Sequence, residues 1–428
     1  MESRNPIEVS IALNRIMSFV KKQGVIKHVP IEQSYQRFVA EDIVADHDVP
    51  PFNRSPYDGY AIHASDTVDA SIEEPIEIKV IGEIGAGSVF NQSVEAGQAI
   101  RIMTGAAIPG DCDAIIMLEQ VKRNETKDTI FISQKVNKKE NVSFQGEDTK
   151  KGETLVKKGT YITPGIIALL ATFGYKTVPV IIQPKVGIIA TGSELLEIDQ
   201  PMEPGKIRNS NTTMLEAQIK RAGGEPFNLG QFSDDLALCF EQVKGALGKV
   251  DFLLTTGGVS VGDYDYLPEI YKMLGAEVLF NKVSMRPGSV TTVAEVGGKL
   301  LFGLSGNPSS CFVGFEIFTK PVIRHYLLAD KVYPKSVAVY LGQDFAIPNK
   351  FDRFIRSKVI YNQGSISVVP SGLDKSNAVT SLAKADALTV LPGNEVGYKA
   401  GALVNALLLD DQEGTGDFLN DDEGVDCQ

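Results

Sequence analysis

From Lys185 to Leu327 the chain keeps one rhythm, a short apolar run, a turn and then an amphipathic helix, repeated. Val186–Ala190 reads as a strand that ends in Thr191-Gly192-Ser193-Glu194. Thr212–Ala222 reads as a helix capped near Asn211 and closed by Gly223-Gly224, with a strand at Pro226–Leu229 behind it. Leu236, Phe240, Val243 and Leu247 share one face of the next helix. After the strand Phe252–Thr255 come a helix near Tyr266–Leu274 and strands at Val278–Val283 and Val290–Val296. A Gly297-Gly298 turn leads into Leu300–Leu304, the signature of a hairpin. Gly306-Asn307-Pro308 then opens a helix over Ser309–Leu327. Such alternation gives a doubly wound α/β domain. Its ligands lie outside the carboxyl ends of the strands. The loops at Thr191, Thr255 and Gly303 therefore open on one edge and can share a site.

The stretch Asp251–Asp265, DFLLTTGGVSVGDYD, is the chemical centre of this pattern. A strand ending in paired glycines and hydroxyls brings bare backbone N–H groups close to an anion. The carboxylates that follow would repel that anion unless a hard cation such as Mg²⁺ lies between. The same residues also fit a strand, a tight turn and a helix start with solvated acids. At this point both readings stand.

Around the α/β domain the pattern differs. Asn5-Pro6 marks a first helix with Val9, Leu13, Ile16 and Val20 on one face and Gly24 as its end. A second short amphipathic piece falls near Ser34–Ala40, and Val49-Pro50-Pro51-Phe52 reads as an extended linker. Between about 62 and 136 the strands are short and alternating, as in Ile76-Glu77-Ile78-Lys79-Val80. Helix resumes behind Thr163-Pro164 and runs to Gly174. The expected organisation is a split N-terminal linker domain (1–48 and 142–178) with an inserted β domain (49–141). The α/β domain (179–329) follows, then a C-terminal β-barrel-like domain (330–409) and an acidic tail (410–428) expected to be disordered. The fold class is thus multidomain α/β plus β.

Net charge is −12, and the tail's eight acids account for all but −4 of it. That excludes a broad nucleic-acid surface but not a small anionic substrate, which needs only a local basic cluster. Cys112, Cys239, Cys311 and Cys427 form no CxxC pair, and His28, His47, His63 and His325 are equally scattered. Neither a disulfide framework nor a zinc site is expected, and a reducing cytoplasm fits. No apolar run approaches a membrane span, and the N-terminus carries no secretory apolar region.

Four acids occupy loop positions in or beside the α/β domain: Glu194, Asp234, Asp263 and Asp265. Asp234 precedes a helix, so N-capping is an equal reading. The basic set is Lys282, Arg286, Arg353, Arg356 and Lys375; an arginine fork suits a tetrahedral oxyanion. Gly303-Leu304-Ser305-Gly306-Asn307-Pro308 runs into a helix N-terminus, a ready anion site. There is no Walker A motif, and no GxGxxG follows the first α/β strand.

PPFNRSPYDGYA (50–61), TGSEL (191–195), TTGGVSVGDYDY (255–266), MRPGSVTTV (285–293) and GLSGNPSS (303–310) occur in this order. As a set they closely resemble the molybdopterin molybdenumtransferase family, MoeA and the gephyrin E domain, across nearly all of 1–409. The resemblance implies a four-part elongated subunit and a homodimer. It implies insertion of molybdate into adenylylated molybdopterin with release of AMP, assisted by Mg²⁺. Matched motif by motif, Asp58 and Thr104 are the β-domain contribution, reaching the partner subunit's site, and Asp148 is the acid of the GED motif. Glu194, Asp234 and Asp265 are the α/β carboxylates expected to hold Mg²⁺. Lys282 and Arg286 are the basic pair, which joins Arg356 and Ser376 around molybdate. The loop residues Thr191, Gly192, Thr256, Gly257, Gly258, Ser260, Gly262, Pro287, Gly288, Ser305, Gly306, Asn307 and Pro308 are expected to hold pterin and phosphate. Two departures stand out: Ser193 where some members have aspartate, and Ser289 where some have lysine. The rival readings are a molybdopterin adenylyltransferase and a non-enzymatic, gephyrin-like scaffold. No membrane or nucleic-acid partner is expected; transient docking with other enzymes of the cofactor's synthesis is.

Overall fold

The computed structural model describes residues 5–20, 24–124, 126–232, 235–257, 266–362, 364–410 and 416. The chain forms two compact units, one of 1–41, 158–171 and 175–428, the other of 42–157 and 172–174.

In the first unit, the helix Val9–Phe19 buries Val9, Ala12, Leu13 and Ile16 on one face. It starts later than Asn5-Pro6 implies, because Ile7 is held extended in a bridge to Val283. The Ser34–Ala40 stretch is not helical. Gln36 sits at φ 61°, and Phe38 and Val39 bridge Tyr161 and Val180. Tertiary pairing here overrides a weak local periodicity. Ile26–Pro30 pairs antiparallel with Thr177–Ile181.

The α/β sheet has six strands in the order Glu225–Phe232, Lys185–Thr191, Phe252–Thr256, Lys299–Leu304, Thr292–Val296, Glu277–Phe280. The first four are mutually parallel, Thr292–Val296 runs antiparallel to both of its neighbours, and Glu277–Phe280 again points the way of the first four. The hairpin turn is Gly297-Gly298, at φ 59° and 84°, which side chains disfavour. Helix Ser210–Ala222 is capped by Asn209, whose side chain accepts from the Thr212 amide, and Leu236–Leu247 by Asp235 in the same way. The first cap therefore lies two residues before Asn211 and the second is Asp235, while Asp234 lies outside the described residues. The last helix is not uniform. Pro308–Gly314 passes into a π-turn at Phe315–Thr319 and then into Lys320–Tyr326.

That π-turn carries Glu316, which is fully buried. Arg221 donates to it, Gln218 donates at 2.6 Å, and Lys320 lies 3.4 Å away. Burial opposes ionisation of Glu316, but Lys320, Arg221 and these hydrogen bonds outweigh it and hold the carboxyl below its ordinary range. Arg221 also reaches Asp410 at 3.1 Å, tying the α/β layer to the end of the barrel chain.

The C-terminal strands Ser336–Leu341, Asp352–Asn362, Ser365–Pro370, Ala387–Leu391 and Leu403–Leu408 close into a ring, because Asp352–Asn362 pairs with both Ser365–Pro370 and Ala387–Leu391. Met285–Arg286 adds to it parallel, Met285 opposite Asp352 and Arg286 opposite Arg353. The tail beyond Asp410, Gly416 excepted, lies outside the described residues, and with it the expectation of disorder.

The second unit is a six-stranded sheet in the order Ala114–Met117, Gly59–Ile62, Gln98–Ile102, Ile76–Ile84, Thr129–Ile132, Val121–Asn124. The ladder of Ile43–Val44 with Thr154–Val156 belongs to it. Gly59 is required there: a Cβ would collide with the Ile116 carbonyl. Among the described residues no helix is long and apolar enough to cross a membrane. Cys112, Cys239 and Cys311 are buried, and none is in a disulfide among the described residues.

Glu316→Gln strands Lys320 without its counter-charge and should cost roughly 3–5 kcal/mol, read from urea denaturation. Because the folded carboxyl titrates below an ordinary glutamate, its contribution is complete above about pH 4.3 and is lost as pH falls through the folded value. The variant should therefore show a shallower acid limb. An equal limb in both proteins would mean that Glu316 is not the ionised partner.

Candidate functional site

Three loops meet at the carboxyl ends of the parallel strands because the strands are in register there. Thr256 lies opposite Ala190 on one side and Leu304 on the other. Gly257 follows at φ 87°, and its amide donates to the Leu304 carbonyl at 3.1 Å. A Cβ at 257 would sit 2.6 Å from the Thr191 carbonyl oxygen, so only glycine permits this approach. The first loop is tied down by Gln231, which donates to the Gly192 carbonyl, and Lys206, which donates to that of Ser193. Asn211 joins the other two, donating to Thr256 Oγ1 at 2.8 Å and to the Gly306 carbonyl at 2.9 Å. Its Oδ1 is buried without a protein donor. In the sequence Asn211 reads as a helix cap, and only the folded register reveals it as a stitch between loops.

These loops form one wall of a cavity of about 1190 Å³. Thr191, Gly192, Glu194, Thr256, Gly257, Pro287, Gly288, Ser305, Gly306, Asn307 and Pro308 all line it. So do Ser193 and Ser289, the two departures from the family pattern. The helix N-terminus at Pro308 is less open than the sequence implies, since the Ser309 amide donates to the Ser376 carbonyl at 3.0 Å. That bond instead brings the barrel's Ser376 to the rim.

The opposite wall is cationic. Arg286, Arg353, Arg356, Lys375 and Ser376 line the cavity, with Asp374 among them. The parallel pairing of Met285–Arg286 puts Arg286 beside Arg353. Arg286 lies over the Phe351 ring at 5.9 Å and Arg353 over Phe345 at 5.6 Å. Arg356 is only 2% exposed. Its Nη2 donates to the Leu373 and Lys375 carbonyls at 3.3 and 3.2 Å, and its Nη1 lies 2.8 Å from Asp374 Oδ1. Burial draws its guanidinium below the ordinary value while Asp374 pulls the other way; it stays a cation throughout. Lys282 does not line the cavity; its carbonyl accepts from Ile7 in the bridge region that precedes Met285.

Asp234, Gly258, Ser260, Gly262, Asp263 and Asp265 lie outside the described residues. Of the three carboxylates expected to hold Mg²⁺, Glu194 is exposed on the cavity wall, where its carboxylate folds back over Gly192. Among the described residues no group of three His, Cys, Asp or Glu is placed to hold a metal. Among the described residues the lining offers hydroxyl and carboxylate oxygens, one thiol at Cys239 and no imidazole, a predominantly oxygen donor set that fits a hard cation. Burial pushes the Cys311 thiol up to about 12, so it is no thiolate nucleophile beside the site.

The second unit brings Asp58 and Thr104 together across 46 residues of sequence. Asp58 Oδ1 accepts from the Thr104 amide and from Thr104 Oγ1, both at 2.7 Å. These bonds, with Arg101 nearby, hold the Asp58 carboxyl below its ordinary range. Asp148 is exposed, and its amide donates to the Val49 carbonyl at 3.1 Å. Thr104→Val removes one of the two donors, so the Asp58 carboxyl should titrate at higher pH than in the parent, followed by carbon NMR of the side chain. An unmoved titration would show that the hydroxyl bond does not form in solution.

The sequence matches three family descriptions in succession: the MoeA N-terminal region (domain I and II) over 7–174, a probable molybdopterin binding domain over 187–325, and the MoeA C-terminal region (domain IV) over 338–409. The chain is 52% identical over 417 residues to the molybdopterin molybdenumtransferase of Bacillus subtilis (strain 168), covering 97% of each chain. It is 50% identical over 410 residues to that of Staphylococcus aureus (strain COL), covering 96% of this chain and 97% of the other. The crystal structure of the molybdopterin biosynthesis moeA protein of Pyrococcus horikoshii OT3 superposes with a TM-score of 0.81 at 33% identity, over 95% of this chain and all of that one. With its glycine-turn loops, cationic barrel wall and full-length likeness to these proteins, the chain belongs to the molybdopterin molybdenumtransferase (MoeA) family.

Proposed function

We propose that the protein is a transferase of molybdenum cofactor biosynthesis that inserts molybdate into adenylylated molybdopterin and releases AMP. The observation that carries this reading is the single cavity with two unlike walls. One is made of backbone-rich turns at strand ends, the other of Arg286, Arg353, Arg356 and Lys375. A volume near 1190 Å³ accommodates a substrate larger than a drug-sized ligand, as a pterin joined to a nucleotide is. The likeness to named transferases over the full length does not favour an adenylyltransferase alone or a scaffold.

In this reading the turns at Thr191–Glu194, Gly257 and Ser305–Pro308 hold pterin and phosphate by close approach of their backbone and hydroxyl groups, with Asn211 keeping two of them in place. Arg286, Arg356 and Ser376 hold molybdate; Lys282, which the family likeness adds to this set, lies outside the lining. Mg²⁺, held by Glu194 with Asp234 and Asp265, would polarise the phosphoanhydride and offset charge on the departing AMP. The protein itself supplies position and field. We also propose a homodimer in the cytoplasm, with Asp58 and Thr104 serving the partner subunit's site and Asp148, the acid of the GED motif, as a further site residue.

Arg356→Ala should raise the molybdate concentration needed for insertion roughly 10- to 150-fold, the loss of one charge-assisted hydrogen bond. High molybdate should restore turnover, and AMP binding should change little. Weaker AMP binding with an unchanged molybdate response would move Arg356 to the phosphate site. For the dimer, mixing Asp58→Ala with Asp265→Ala subunits should recover activity, since each mixed dimer keeps one intact site. Verified exchange without recovery would mean self-contained subunits.

A further inference from the structure

Asp374 stands where the cationic wall would otherwise be most positive. Its two oxygens are divided between two arginines, Oδ2 at 2.5 Å from Arg353 Nη2 and Oδ1 at 2.8 Å from Arg356 Nη1. The loop that carries it also wraps Arg356, through the Leu373 and Lys375 carbonyls on Nη2. Yet Arg356 is not satisfied. Nε and Nη1 are buried without an aligned protein acceptor, so Asp374 meets Nη1 as a counter-charge and not along an N–H direction. A buried guanidinium with charge compensated but donors unmatched is a resting arrangement, because buried N–H groups without acceptors are costly. An oxyanion taking the place of Asp374 supplies what is missing: negative charge together with an oxygen free to align on Nη1. The remaining side chains of this wall, Arg286, Lys375 and Ser376, are exposed and line the same cavity.

We propose that Asp374 is a built-in occupant of the oxyanion subsite, a carboxylate latch on the Arg353–Arg356 pair that an incoming tetrahedral dianion must displace. The proposal rests on the reading of this wall as the molybdate side. It makes Asp374 a specificity-determining residue: the latch weakens every oxyanion by the same competition. Only one that is also held from elsewhere in the cavity, as molybdate beside a bound pterin would be, gains enough to open it. Free sulfate and phosphate, which lack that second hold, are kept out.

The test uses the intact protein with molybdate and sulfate as separate calorimetric probes. Asp374→Asn keeps the shape and removes the charge. It should bind both anions at least tenfold more tightly than the parent, and sulfate should begin to inhibit turnover. Equal or weaker binding of both anions would overturn the latch and leave Asp374 a clamp that merely positions the arginines. Since Asp374→Asn could disturb the loop, a second measurement uses the parent protein. Crystals soaked in molybdate should show the anion on Arg356, with the Asp374 carboxylate moved off it. An anion bound with both Asp374 pairs intact would also overturn the proposal. If the variant gains sulfate and molybdate affinity but neither protein transfers molybdenum, the latch stands and the transferase reading falls.

Discussion

The site depends on two residues of backbone pairing. Met285 and Arg286 leave the α/β domain and add a parallel strand to the barrel beside Asp352 and Arg353. Backbone ladders are directional and short-ranged, so this pairing fixes how far the strand-end turns stand from the cationic wall. The Ser309 amide on the Ser376 carbonyl and the Ser309 hydroxyl on the Ala378 carbonyl at 2.6 Å pin the same junction from the helix side. A cleft held at both ends is preorganised, and catalysis by position needs a cleft of that kind.

Behind the junction, stability is organised around charge as well as apolar packing. One continuous core runs from Val9 and Leu13 through the α/β sheet to Phe354 and Leu407 of the barrel. Embedded in it, Glu316, Lys320 and Arg324 are nearly inaccessible, and the Arg324 guanidinium lies over Phe38 at 5.3 Å. Buried ions of this kind add little net stability compared with apolar residues, but removing one partner is costly. They fix which helix face meets which neighbour.

Much of this was legible before folding. The strand–helix alternation and the Gly297-Gly298 hairpin follow from period and turn chemistry, which are local properties. The strand-end loops could be placed on one edge because parallel sheets put them there. What the sequence hid was set by partners distant in the chain. Asn5-Pro6 reads as a helix start, but Ile7 pairs with Val283, and Ser34–Ala40 reads as amphipathic, but Phe38 and Val39 bridge Tyr161 and Val180. Asn211 and Asp374 carry no motif; each matters only through residues 45 to 95, or 18 to 21, positions away. Lys282, grouped by sequence with Arg286, is held by its backbone outside the lining. The carboxylates Asp234 and Asp265 lie outside the described residues.

The π-turn at Phe315–Thr319 acts as a phase shifter. The Lys320 amide bonds to the Phe315 carbonyl, five residues back, where a regular helix would reach four. One extra residue in a helix of 3.6 per turn rotates everything after it by about 100° relative to what precedes it. Pro308 to Gly314 and Lys320 to Tyr326 therefore present faces that no single regular helix could offer together. The first serves the cavity rim, and the second turns Arg324 toward Phe38 and Tyr161. Deleting one residue within the turn would restore a regular helix and set its two halves at odds, however conservative the change looked on paper.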